Sequence, residues 1–153
     1  MRLLSVTVNY ITTPSQYIFI MAGSEAKHTW LQKRIYERPD IVGIDESSLI
    51  SKATEYAMYR HGHIFVCPDI YLLTNQGHHF LEVKSGNSQF SFSKGMSQLE
   101  KILQCASDMG IDDADARLVM PRADYQGSKY WVDMLNNLTE YRAGDSYIPP
   151  YKK

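Results

Sequence analysis

The sequence predicts an α/β domain, and three features lead to that reading. Between Asp69 and Lys84 two strand-like runs flank Asn75-Gln76-Gly77, residues that tolerate the positive φ of a tight turn. One helical pattern precedes this hairpin, over residues 25–37, and another follows it, over residues 96–109. The chain has 153 residues, 44% of them hydrophobic, enough for one domain with a sizeable core.

In chain order, residues 1–22 read as an N-terminal β extension. Leu3 to Ile11 alternates through Leu4, Val6, Val8 and Tyr10, the period of a strand. Thr12 to Ser15 interrupts it, and Tyr17 to Met21 is a second apolar run. These runs form a hairpin ahead of the core, or else they are a leader before a start at Met21; both readings stay open. Asn9, Pro14, Ser15 and Gln16 break them too often for a membrane span, and no small-residue cleavage site follows.

Residues 24–122 read as the core. Ser24 suits a helix N-cap, and the helix must end before Pro39, because the residue preceding a proline avoids the α region. Glu25, His28, Gln32 and Tyr36 share one side of it by their spacing, with Leu31 and Ile35 on the adjacent core face. Residues 45–60 are ambiguous. As a helix they line up Leu49, Ile50, Ala53, Tyr56 and Ala57, with Glu46 on the same stripe. As a strand, Leu49 to Tyr56 opens the sheet and leads into His63–Val66. Helix propensity tilts the choice toward the helix.

The hairpin follows, with Asp69–Thr74 as its first strand and His79–Lys84 as its second. Ser85 to Gly95 is polar and reads as a loop with Lys94 available. The helix at Met96–Met109 buries Leu99, Ile102, Leu103 and Ala106, carries Gln98 at the edge of that stripe, and stops at Gly110. Asp112, Asp113 and Asp115 fall in a polar loop before a short strand, Arg117–Met120. Residues 123–153 supply a last helix, Ser128–Leu138, and a tail, SYIPPYKK, expected to be mobile or to pack on a partner.

The chemistry concentrates in the hairpin. Side chains alternate along a strand, so Glu82 and Lys84 share a face while Val83 points to the other. Any turn centred within Asn75–Gly77 brings Asp69 opposite a residue between Glu82 and Lys84. Two carboxylates and an ammonium then converge at one end of the sheet. Like charges brought together repel, and a divalent cation would compensate them. Hard oxygen ligands, few and open to water, suit Mg²⁺ or Mn²⁺.

Pro68-Asp69, a hairpin, and then Glu82-Val83-Lys84 resembles the signature of the PD-(D/E)XK nuclease superfamily. The resemblance covers about residues 24–122. It implies a restriction-endonuclease-like core, a central mixed β-sheet flanked by helices, and Mg²⁺-dependent cutting of DNA. It also implies the site: a metal on Asp69, Glu82 and the Val83 carbonyl, with Lys84 as the motif lysine. Gln98, 14 residues past Lys84, takes the place of a helix glutamine that faces the site in the family. A Glu opening the first helix and an Arg-Pro-Asp-Ile-Val-Gly exit is similar to archaeal mismatch-specific and single-strand-specific endonucleases, which makes Glu25 the acid that completes the metal site. If residues 45–60 are helical, the chain resembles Holliday-junction resolvases instead, and Glu46 takes that role. Such enzymes often act as homodimers in DNA repair, because two strands need two sites.

In this reading the bound metal supplies the nucleophilic water and offsets phosphoryl charge. Lys84 orients that water and offsets charge in the transition state; the carboxylates beside it favour the ammonium over a free base. Gln98 holds Lys84, the water or a phosphate oxygen. Histidines 61, 63, 78 and 79 match no zinc spacing and are expected near the mouth of the site. Trp30 and Trp131 are expected in the core or an interface, and Cys67 as a small buried residue.

Composition sets limits. The net charge of −1 counts mildly against strong non-specific DNA binding. It leaves open a non-catalytic nuclease-fold protein that binds nucleic acid or acts as a scaffold, and an RNA-directed nuclease. Two cysteines, Cys67 and Cys105, make no disulfide framework and fit a reduced, cytoplasmic setting.

Overall fold

The computed structural model describes residues 24–123, 125 and 131–151. The expected N-terminal hairpin lies outside the described residues. The elements are α1 (Ser24–Glu37), β1 (Leu49–Thr54), β2 (Met58–Arg60), β3 (His63–Val66), β4 (Ile70–Thr74), β5 (Gly77–Val83), α2 (Gln89–Asp108), β6 (Asp115–Pro121), α3 (Trp131–Met134) and β7 (Leu138–Tyr141). Short 3-10 turns, Pro39–Val42 and Glu46–Ser48, join α1 to β1.

Five strands form one mixed sheet in the order β1-β4-β5-β6-β7. β5 and β6 run parallel, and the other neighbours run antiparallel. A parallel pair cannot be closed by a tight turn, and α2 makes the crossover. Alternation along β5 then assigns the two layers. Leu81 and Val83 face one core, with Ile70 and Leu72 of β4 and with Ala26, Trp30, Leu31 and Ile35 of α1. Phe80 faces the other core, with Leu118 of β6 and with Leu99, Ile102, Cys105 and Ala106 of α2. Each fully buried Leu or Ile contributes about 1.5–3 kcal/mol. The class is therefore α/β, a mixed five-stranded sheet flanked by helices.

The hairpin forms as its residues dictate. Thr74 pairs with Gly77, leaving Asn75 and Gln76 as the turn, and Gly77 takes φ 128°, a value side-chain-bearing residues rarely adopt. β2 and β3 form a separate two-stranded ribbon, with Met58 and Val66 buried against α2.

Several expectations are corrected. Residues 45–60 are not a helix: a turn at Glu46–Ser48 leads into β1, which pairs with β4, and Ile50 of the supposed apolar stripe is exposed. Ladder bonds to β4 outweigh a weak helical preference. α2 begins seven residues earlier than its apolar pattern, because Ser88 caps it by accepting from the Ser91 N–H at 3.1 Å, so residues 89–95 are helix and not loop. Leu138 opens β7 and does not end a helix. Asp115 starts β6 rather than sitting in a loop. The described part of the tail, residues 146–151, packs on its own chain. The Tyr151 hydroxyl donates to Asn137 Oδ1 at 2.7 Å, and the Tyr147 hydroxyl to the Asn87 carbonyl at 2.6 Å.

The tryptophans are core residues, Trp30 against Trp131 with ring centroids 5.5 Å apart. Neither cysteine is in a disulfide; Cys105 is buried, whereas Cys67 is only half-buried. Among the described residues no helix is long and apolar enough to cross a membrane.

Candidate functional site

Asp69 sits where the chain enters β4, one residue before Ile70, whose partner on β5 is Leu81. Extending that register by one residue sets Asp69 across from Glu82. Four groups fix Asp69. Its backbone carbonyl accepts from the Glu55 N–H at 3.0 Å and from the Gln32 side-chain amide at 2.8 Å. Its carboxylate Oδ2 accepts from the Val83 N–H at 2.7 Å and lies 3.4 Å from His28 Nε2. The two hairpin strands and α1 thus meet at one carboxylate.

Glu82 and Lys84 follow from the alternation of β5. Glu82 is buried, 4% exposed, on the face covered by α2. Lys84 stands two residues on, half-buried, with Nζ 3.6 Å from Glu82 Oε2. Its own backbone is tied down, the Lys84 N–H donating to the Val119 carbonyl at 2.9 Å. Burial pushes the Glu82 carboxyl up to about 8, and the Asp69 charge adds to the shift; Lys84 and His28 pull the other way without cancelling it. His28 responds to the same field. Burial lowers its pKa, but the Asp69 hydrogen bond and the charges of Asp69 and Glu82 outweigh it and raise the imidazole above its usual range. The Val83 carbonyl also holds the proton on His28.

Glu82 Oε1 is buried without a hydrogen-bond donor, and so is Gln98 Oε1 on α2. A buried acceptor left unpaired costs about 1–3 kcal/mol. Gln98 stands one helical turn beyond Gly95, which lies against Leu118, the β6 partner of Glu82. The Glu82 oxygen without a donor, in the field of the Asp69 charge, is a ligand that a hard cation fits. Asp69, Glu82 and the Val83 carbonyl could hold it, and His28 lies against two of those three groups. Among the described residues no three His, Cys, Asp or Glu side chains cluster to hold a metal by themselves. An ion here would complete its shell with water, as Mg²⁺ commonly does on one or two carboxylates.

The remaining residues divide. Glu25 is exposed on α1, one turn before His28, so it shares the helix side that reaches Asp69. Glu46 is exposed in the 3-10 turn before β1, and with no helix over residues 45–60 the alternative that gave it the metal role falls away. The His78 and His79 expectation is also corrected. Both lie at the start of β5, the end opposite Glu82, where His78 Nδ1 is 2.6 Å from the Tyr71 hydroxyl and His79 Nδ1 is 2.7 Å from Asp115. His61 and His63 lie in the exposed β2–β3 turn region.

Sequence reasoning misses His28 and Gln32 as parts of the site. Both fall on the Glu25 side of α1, and their i, i+4 spacing is the available signal. Nothing in the local pattern says that this side meets Asp69, 41 residues away from His28. No protein-family model, curated protein or solved structure matches the chain.

Proposed function

We propose that the protein is a divalent-cation-dependent endonuclease acting on DNA, with Mg²⁺ or Mn²⁺ as its cofactor and a restriction-endonuclease-like core. The observation that carries this reading is the pairing of two buried carboxylates, from adjoining strands, with Lys84 at their side and an acceptor oxygen of Glu82 left without a donor. When bound, the ion would lower the pKa of a water and offset charge on the phosphoryl group. Asp69, Glu82 and the Val83 carbonyl would hold it. Asp69 is preset for the task, because its backbone and one carboxylate oxygen are already tied down.

Lys84, with Nζ 3.6 Å from Glu82, is placed to orient the attacking water and to meet charge growing on the phosphate oxygens. Gln98 Oε1 would accept a hydrogen bond from that water or from Lys84. Water adds to phosphorus and one ester bond breaks, leaving a phosphate end and a hydroxyl end. Cutting both strands at one place would need a second copy of the chain, and so a homodimer.

The net charge of −1 favours a second reading, a binding or scaffold protein of this fold without turnover. A panel of single-stranded, double-stranded and branched DNA and of RNA, incubated with Mg²⁺ or Mn²⁺, separates the readings. The endonuclease reading expects DNA products, lost at least a hundredfold in Asp69→Ala, Glu82→Ala and Lys84→Ala, with the fold intact by circular dichroism. Cutting that survives Glu82→Ala removes the proposed site. No product from any substrate leaves the scaffold reading, and products from RNA alone change the substrate.

A further inference from the structure

We propose that the first half of α2 is a binding strip for single-stranded DNA beside the cut site, with Phe90 as a stacking platform and Lys94 as its phosphate contact. The inference rests on the endonuclease reading for the nature of the strand. Phe90 is 71% exposed, more than any other large hydrophobic side chain among the described residues. A phenyl ring left in water forgoes its burial, and this one stands in a helical first turn open to a partner. Lys94, one turn on and also exposed, has Nζ 5.6 Å from the Phe90 ring centroid. Lys94 therefore stands over one face of the ring, and ring and cation form one small exposed surface.

Charge along the helix supports the same partner. Helices favour acids in their first turn, yet α2 has none there. From Lys84 to Gln98 there is no carboxylate at all, and serines and asparagine take the polar positions; Glu100 is the first acid. A polyanion laid along this stretch meets a lysine, hydroxyls and the positive end of a helix dipole, and no like charge. Only Ser85 to Ser88 separates Lys84 from α2, so the strip continues directly from the proposed site. Stacking on Phe90 needs the open face of a base. A closed duplex covers its base faces, and a single strand does not.

Fluorescence anisotropy in EDTA, where cutting is suppressed, tests the strip with the full chain and a labelled oligodeoxynucleotide of about 20 nucleotides, longer than a single-strand site. Phe90→Ala should weaken binding about tenfold, and Phe90→Trp should restore it. Lys94→Ala should weaken binding and lower the salt slope by about 0.7. Blunt duplex should bind weakly and indifferently to Phe90→Ala. Unchanged single-strand affinity in Phe90→Ala overturns the strip, as does an equal loss on blunt duplex or tighter, Phe90-dependent binding of the matching RNA. Cleavage measured in parallel with Mn²⁺ keeps the two claims apart. Cutting with Phe90-independent binding sinks the strip and leaves the nuclease; Phe90-dependent binding without cutting by the unmodified chain does the reverse.

Discussion

Glu82 ties the chemistry of the site to the stability of the fold. Its carboxyl is pushed from the ordinary range up to about 8 by burial and by Asp69. The folded protein therefore takes up a proton that the unfolded chain releases. The stability this gives is complete below the usual carboxylate range and is lost as pH rises through about 8. His28, also raised, acts in the same direction. Without divalent cations, Glu82→Gln should match the unmodified chain near pH 4 and exceed it by about 4 kcal/mol at pH 8, since each tenfold difference in proton affinity is worth about 1.4 kcal/mol. Urea unfolding in EDTA measures this, and parallel stability curves from pH 5 to 8 would count against the buried carboxylate pair. At this scale the sequence was half legible. Asp69, Glu82 and Lys84 follow from strand alternation and a short turn, both local. His28 and Gln32 reach Asp69 only through packing of α1 on the sheet, and no local pattern encodes that.

At the scale of elements, α2 depends on one small residue. A Cβ on Gly95 would come within 2.4 Å of the buried Leu118 side chain. Gly95→Ala adds a better helix former and a clash together, and the clash should win by about 1–2 kcal/mol. A melting temperature equal to or above that of the unmodified protein would show that α2 can shift without loss.

The far end of the sheet is held by charge. Asp115 pairs with His79, with Arg117 at 2.7 Å and with Arg142 at 3.1 Å, and Arg117 also reaches Glu140. Burial alone would raise Asp115, but its partners hold it below the usual carboxylate range. Its contribution is present above that range and disappears as pH falls through the lowered value. Asp115→Asn should cost about 2–3 kcal/mol at pH 7 by leaving Arg117 short of a partner, and should flatten the acid limb of the stability curve. An unchanged acid midpoint would contradict that role. Element types were readable where the period was clear, as in α1 and the hairpin. β1 and β7 were not, because short half-exposed strands are decided by their ladder partners. The early start of α2 lies in a cap, Ser88, and not in its apolar stripe.

For the whole molecule, the sequence supports the α/β class, and the structure supplies the arrangement. One mixed sheet lies between two apolar layers, with the acidic end where β4, β5 and α1 meet. The tail shows why composition misleads about termini. Its prolines and lysines suggest a loose end, yet Tyr147 and Tyr151 bond it to Asn87 and Asn137, so it reaches the loop that follows Lys84. The function assigned to this architecture depends on whether the carboxylate pair takes a cation. Calorimetric titration of Mn²⁺ into the full chain at pH 7.5 measures that directly. Saturable binding by the unmodified chain, lost in both Asp69→Asn and Glu82→Gln, is the expected result; no binding, or binding unchanged in Glu82→Gln, would contradict the cation site.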